Sequence, residues 1–156
     1  MKLKSLLLVL ACSATLFASS IKVEDAYIRA TPPGLPNSAA FMNIVNTSSK
    51  DVSLISATSD ASYVVELHTH DKKDGVMKMY QVPKIDIRAN SMTSLKPGGF
   101  HIMLIDLKTR PLKTDKHIEV SLKFSNGQVL KVFAPVKKVM MGMMNHKNMG
   151  HHGMKH

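Results

Sequence analysis

The chain is predicted to fold as an all-β domain, a two-sheet antiparallel β-sandwich, and three observations carry that expectation. Between Ile21 and Val136 short apolar or alternating runs recur at close intervals, separated by Pro, Gly, Asn, Asp and Ser. No stretch there carries a long apolar stripe at helical period. Turn dipeptides fall between the runs, where strands must reverse.

The runs place strands near 22–30, 38–47, 51–58, 62–69, 76–82, 92–95, 100–107, 117–124 and 128–136. The first ends before Pro32-Pro33-Gly34, which cannot continue a ladder. Asp74-Gly75 separates the fourth from the fifth, and Lys96-Pro97-Gly98-Gly99 separates the sixth from the seventh. Asn126-Gly127, between Val120–Phe124 and Val129–Phe133, is the strongest hairpin signal in the chain.

The ends have a different composition. Residues 1–20 read as an export signal: Lys2 and Lys4 give a positive start, Leu6 to Ala11 begin an apolar run, and Ala18-Ser19-Ser20 offers small residues for cleavage. The apolar run is shorter than the roughly 20 residues a membrane-spanning helix needs, so no transmembrane segment is expected after signal removal. Val9-Leu10-Ala11-Cys12 is a weak lipobox, placed very early, so lipid anchoring through Cys12 is not expected. Cys12 is the only cysteine, and its loss with the signal removes disulfides, thiolate zinc sites and thiolate copper sites from consideration. Residues 137–156 form the other end, where Met140, Met141, Met143, Met144, Met149 and Met154 interleave with His146, His151, His152 and His156. With Gly, Asn and Lys as spacers, this segment lacks the apolar surface to offset ordering entropy and is expected to be a flexible tail.

The formal charge is +10. Two of the lysines lie in the signal and four in the acid-free tail, which leaves the sandwich only mildly basic. Clustered Lys and Arg with interleaved aromatics are missing, so nucleic-acid binding is not expected.

Chemistry concentrates in four residues. His68, ten residues, Met79, twenty-one residues, then His101-x-Met103 is a set of two imidazoles and two thioethers. All four donors are neutral and borderline to soft, which suits monovalent copper better than zinc, calcium or magnesium. His101 and Met103 stand two apart in the β-rich run Phe100–Ile105, so they project from one strand face. His70 shares the face of Glu66 and His68, and is either a spare ligand for divalent copper or a loop residue before Asp71. Met42, Met77 and Met92 read as core filler, and His117 as a surface residue that opens a strand.

The spacing His68-x10-Met79-x21-His101-x-Met103, with Val65–His68, Gly75–Met79 and Leu95–Leu104 around it, resembles the signature of the periplasmic PCu(A)C copper chaperones, over about Val23 to Val136. The resemblance implies a cupredoxin-like Greek-key antiparallel β-sandwich, and a periplasmic, non-enzymatic carrier that binds Cu(I) through those four residues. It implies delivery to the copper sites of respiratory cytochrome oxidase during assembly, with Sco-like thioredoxin-fold proteins as co-workers. In relatives with a Met/His-rich extension, the tail looks like a second copper-binding element. In this chain its four histidines suit Cu(II) and its six methionines Cu(I), and the interleaved methionines argue against a purification tag. Copper buffering or resistance is the alternative function. A copper oxidase is a further one, although cleavage near Ala18–Ser20 leaves no histidine at the new N-terminus.

Overall fold

A computed structural model describes residues 19–73 and 75–138, and it contains ten strands and no helix among them. They are β1 (Ile21–Arg29), β2 (Ser38–Asn46), β3 (Val52–Thr58), β4 (Ser62–Lys73), β5 (Val76–Gln81), β6 (Ile85–Ile87), β7 (Ser91–Leu95), β8 (His101–Leu107), β9 (His117–Phe124) and β10 (Val129–Lys137). The expected signal segment with Cys12, and the tail donors from Met140 to His156, lie outside the described residues. No described helix is long and apolar enough to cross a membrane.

Hydrogen bonding runs β5-β4-β8-β2-β1-β10-β9-β3-β6, with β7 also on β2. The first five strands and β7 make one layer. The last four make the other, packed over a core that includes Ile28, Ile44, Leu54, Ile102, Leu104, Val120, Leu122 and Phe124. β2 is the most buried strand because both its edges are paired, one by β1 and the other by β8 and then β7. Its Asn46 is buried where β2 ends, donating to the carbonyls of Lys50, Ile87 and Arg88 and accepting from the backbone and hydroxyl of Ser48.

The expected sandwich is present, with differences of detail. One pair is parallel: β1 meets β10 at Ile28↔Val136 and Arg29↔Lys137, stitching the two layers together. The Asn126-Gly127 hairpin forms between β9 and β10, with Gly127 at φ 85°. β6 has only three residues and was not anticipated, because so short a run shows no period. Met42 is core, but Met77 and Met92 are exposed, which corrects the reading of both as core filler. Met77 stands on β5, an edge strand exposed along its whole length, so no layer covers it. His117 is exposed at the start of β9, as expected.

Candidate metal centre

The four expected donors come from three strands that are immediate neighbours, β5, β4 and β8. Register aligns them in cross-strand pairs: His68 faces His101, Glu66 faces Met103, and His70 faces Met79. Because alternate residues of a strand share a face, Glu66, His68 and His70 stand on one side of the layer with Met79, His101 and Met103. Ile102 and Leu104, one residue out of phase, point the other way into the core. The donors therefore sit on the sheet face opposite the core. There the Ala30–Asn37 connection and Phe41 bound a groove of about 390 Å³ that His70, Met79, His101, Met103 and Arg29 also line. Adjacent strands of a single layer thus bring the residues together.

His101 is the best-defined of the four candidates. The turn before it has Pro97 at its second position and Gly98 at its third with φ 80°, and Gly99 N–H donates to the Lys96 carbonyl at 3.0 Å. This is type II geometry, which needs the positive φ that glycine supplies. The Gly99 carbonyl then lies 2.9 Å from His101 Nδ1. A carbonyl only accepts, so Nδ1 carries the proton and Nε2 presents its lone pair. That lone pair meets Met79 Sδ at 3.2 Å. Two donors at about 2.0 and 2.3 Å from one ion, subtending roughly 95–110° at it, stand about 3.2–3.5 Å apart. The observed spacing matches a shared ion.

His101 is 2% exposed. Burial pushes its pKa below the usual imidazole value, and His70, His68 and Arg29 add to this against the opposing Gly99 contact. The ring is thereby kept neutral, the form a metal needs.

The other donors are less uniform. His68 lies 5.9 Å from His101, ring centre to ring centre, and its Nε2 is 2.7 Å from Glu66 Oε2. It does not line the groove, and its Nδ1 is buried without a partner. Met103 lines the groove, and Met79 is half exposed on β5. Among the described residues, no group of three or more His, Cys, Asp or Glu gathers into a ligand set, so any ion here depends on the thioethers.

Three further side chains, His70, Glu66 and Arg29, adjoin the four expected donors. β4 runs to Lys73, so His70 is a strand residue and not a loop residue; its ring stacks on His101 at 5.0 Å. Glu66 was visible on the His68 face, but its contact with that ring was not. Arg29 had no signal at all. It reaches the groove because β1 lies beside β2 in the same layer, with Tyr27 opposite Phe41 in register, and its guanidinium sits 5.6 Å over the Phe41 ring. Its Nε is buried and unpaired, and among the described residues no carboxylate forms an ion pair with it.

A helix-free, two-layer β-sandwich of this kind is the fold of PCuAC domains. The chain belongs to the LpqE-like family: the family model described as "Putative lipoprotein LpqE-like" matches residues 21–136. It is 36% identical over 131 residues to "Putative lipoprotein Lxx21020" of Leifsonia xyli subsp. xyli, covering 83% of this chain and 77% of the relative. The solution structure of CuI-DR1885 from Deinococcus radiodurans is similar at TM-score 0.62 and 31% identity, over 82% of this chain and 85% of that one. The copper-bound PCuAC domain from PmoF2 has the same fold at TM-score 0.66 and 22% identity, over 78% and 95% of the two chains.

Proposed function

We propose that the protein is an exported copper carrier that holds one Cu(I) through His68, Met79, His101 and Met103 and passes it on by ligand exchange. The observation that carries this reading is the meeting of the His101 Nε2 lone pair with Met79 Sδ at 3.2 Å, a polar contact without a proton to share. The similarity to a Cu(I)-bound structure supports the choice of ion. Neutral imidazole and thioether donors support it on chemical grounds, since they leave the charge of copper uncompensated and suit the softer, singly charged state. The Arg29 guanidinium, which has no carboxylate partner among the described residues, adds to that bias.

Export follows from the signal-like residues 1–20 and from the lipoprotein descriptions of the family and its relative. The groove supports a delivery role. An acceptor's donors enter along it, and the carrier's His and Met leave one at a time. Cytochrome oxidase copper sites, reached with Sco-like proteins, are the acceptors that the family signature implies. The residues of 137–156 would add a second copper-binding element, with imidazoles for Cu(II) and thioethers for Cu(I).

Substituting Met79 and Met103 by Leu tests the centre. Competition against Cu(I)- and Cu(II)-selective chelators is expected to reveal a far larger loss for Cu(I), because thioethers matter chiefly to the softer ion. Equal losses for both ions would contradict the assignment. Oxygen consumption by the copper-loaded protein with a reductant separates a carrier from an oxidase: turnover above that of free copper would favour the enzyme.

A further inference from the structure

Resting on the copper reading above, we propose that His70 is a fifth donor of the centre, a groove-side imidazole that exchanges with His68 as the ion enters and leaves. His70 stands two residues beyond His68 on the same face of β4 and directly opposite Met79 in register. Its ring centre is 5.0 Å from that of His101, whereas His68 is 5.9 Å away. Two imidazoles bound to one ion at about 2.0 Å, with each ring centre about 1.1 Å beyond its nitrogen, stand roughly 5 Å apart at a tetrahedral angle. The His70–His101 pair fits that figure; the wider His68 pair needs a more open angle.

Access divides the two rings in the same way. His70 lines the groove with Met79, His101 and Met103, and its Nδ1 is buried without a hydrogen-bond partner. His68 lies outside the groove lining, and Glu66 occupies its Nε2 at 2.7 Å. An ion arriving through the groove meets His70 first, and an ion leaving for an acceptor loses His70 last. The described His and carboxylate side chains do not converge as a three-member ligand set. The two imidazoles of β4 therefore alternate, each completing a set with His101, Met79 and Met103.

The test is a double-mutant cycle in the full mature chain, with His68→Ala, His70→Ala and the double variant. Cu(I) affinity is measured by competition with bicinchoninate, and release by stopped flow into excess of the same chelator. Far-UV circular dichroism and melting confirm that each variant folds, and His70→Gln serves as a second, bulk-preserving substitution. Interchangeable donors make each single variant lose less than the double, by about tenfold or more in affinity, the non-additivity expected of groups that share one role. His70→Ala and His70→Gln alone are also expected to slow release by several-fold. The proposal is overturned if the double variant binds no more weakly than His68→Ala and release from His70→Ala is unchanged. His101→Ala separates this from failure of the copper reading itself: if that variant keeps wild-type Cu(I) affinity, there is no centre for His70 to join.

Discussion

Arg29→Gln should strengthen binding of both copper ions and favour the divalent one, and the size of the effect follows from geometry. The guanidinium lies 5.6 Å from the Phe41 ring centre, which lies 6.2 Å from that of His101, so the charge is no farther than about 12 Å from the His101 ring. At that separation two unit charges repel by about 1.4 kcal/mol at an effective dielectric of about 20, and by about 0.3 kcal/mol in bulk water. Arg29 is half-buried beside a groove open to solvent, so at that separation the repulsion lies between these two figures. Removing the charge then raises Cu(I) affinity by about two- to tenfold, and Cu(II) affinity by about the square of that factor, since the ion carries twice the charge. The Cu(II)/Cu(I) potential falls by about 15–60 mV, one tenfold change being about 59 mV for one electron. The measurement is paired chelator competition for the two ions, with voltammetry of the loaded protein, at low ionic strength where screening is weakest. Unchanged affinities, or a potential that rises, would refute the electrostatic role of Arg29.

Asn46→Ala should cost about 3 kcal/mol, since about four net hydrogen bonds of about 0.5–1.5 kcal/mol each are lost and backbone carbonyls are left buried. A thermal melt is expected to drop by about 15 °C, and a loss under about 1 kcal/mol would mean that water replaces the side chain. The metal-free protein should lose stability as pH falls below the ordinary imidazole value. The folded state holds the His101 pKa below its unfolded value through burial first, so the unfolded chain binds more protons in that window and acid favours it. Below the folded pKa the loss levels off. Urea titrations from pH 8 to 5 should therefore give a flatter profile for His101→Gln than for the parent, and parallel profiles would exclude this residue as the source.

Much of the sandwich was legible because its signals are local. Alternation marked nine of the ten strands, and Asn126-Gly127 and Pro97-Gly98 marked reversals that the structure contains, with Gly127 and Gly98 at positive φ. His101 and Met103 were assigned to one face from spacing alone, since a strand has only two faces. What escaped has a non-local cause. Met77 and Met92 look alike in sequence to the buried Met42, but the number of neighbours a strand acquires is set by sheet order. His70 seemed to border a loop because polar residues follow it, yet pairing with β5 carries β4 on to Lys73.

The sequence by itself determined the donor chemistry: two imidazoles and two thioethers at fixed intervals, on β-forming segments with no thiolate outside the signal-like region. Only the tertiary structure decided that β5, β4 and β8 lie side by side, that Gly99 turns the His101 lone pair toward Met79, and that Arg29 and His70 share the groove. The physical reason is that a residue's type and its alternation within a strand are properties of a few neighbouring positions. Which strands meet, and in what register, depends on burying one core shared by the whole chain.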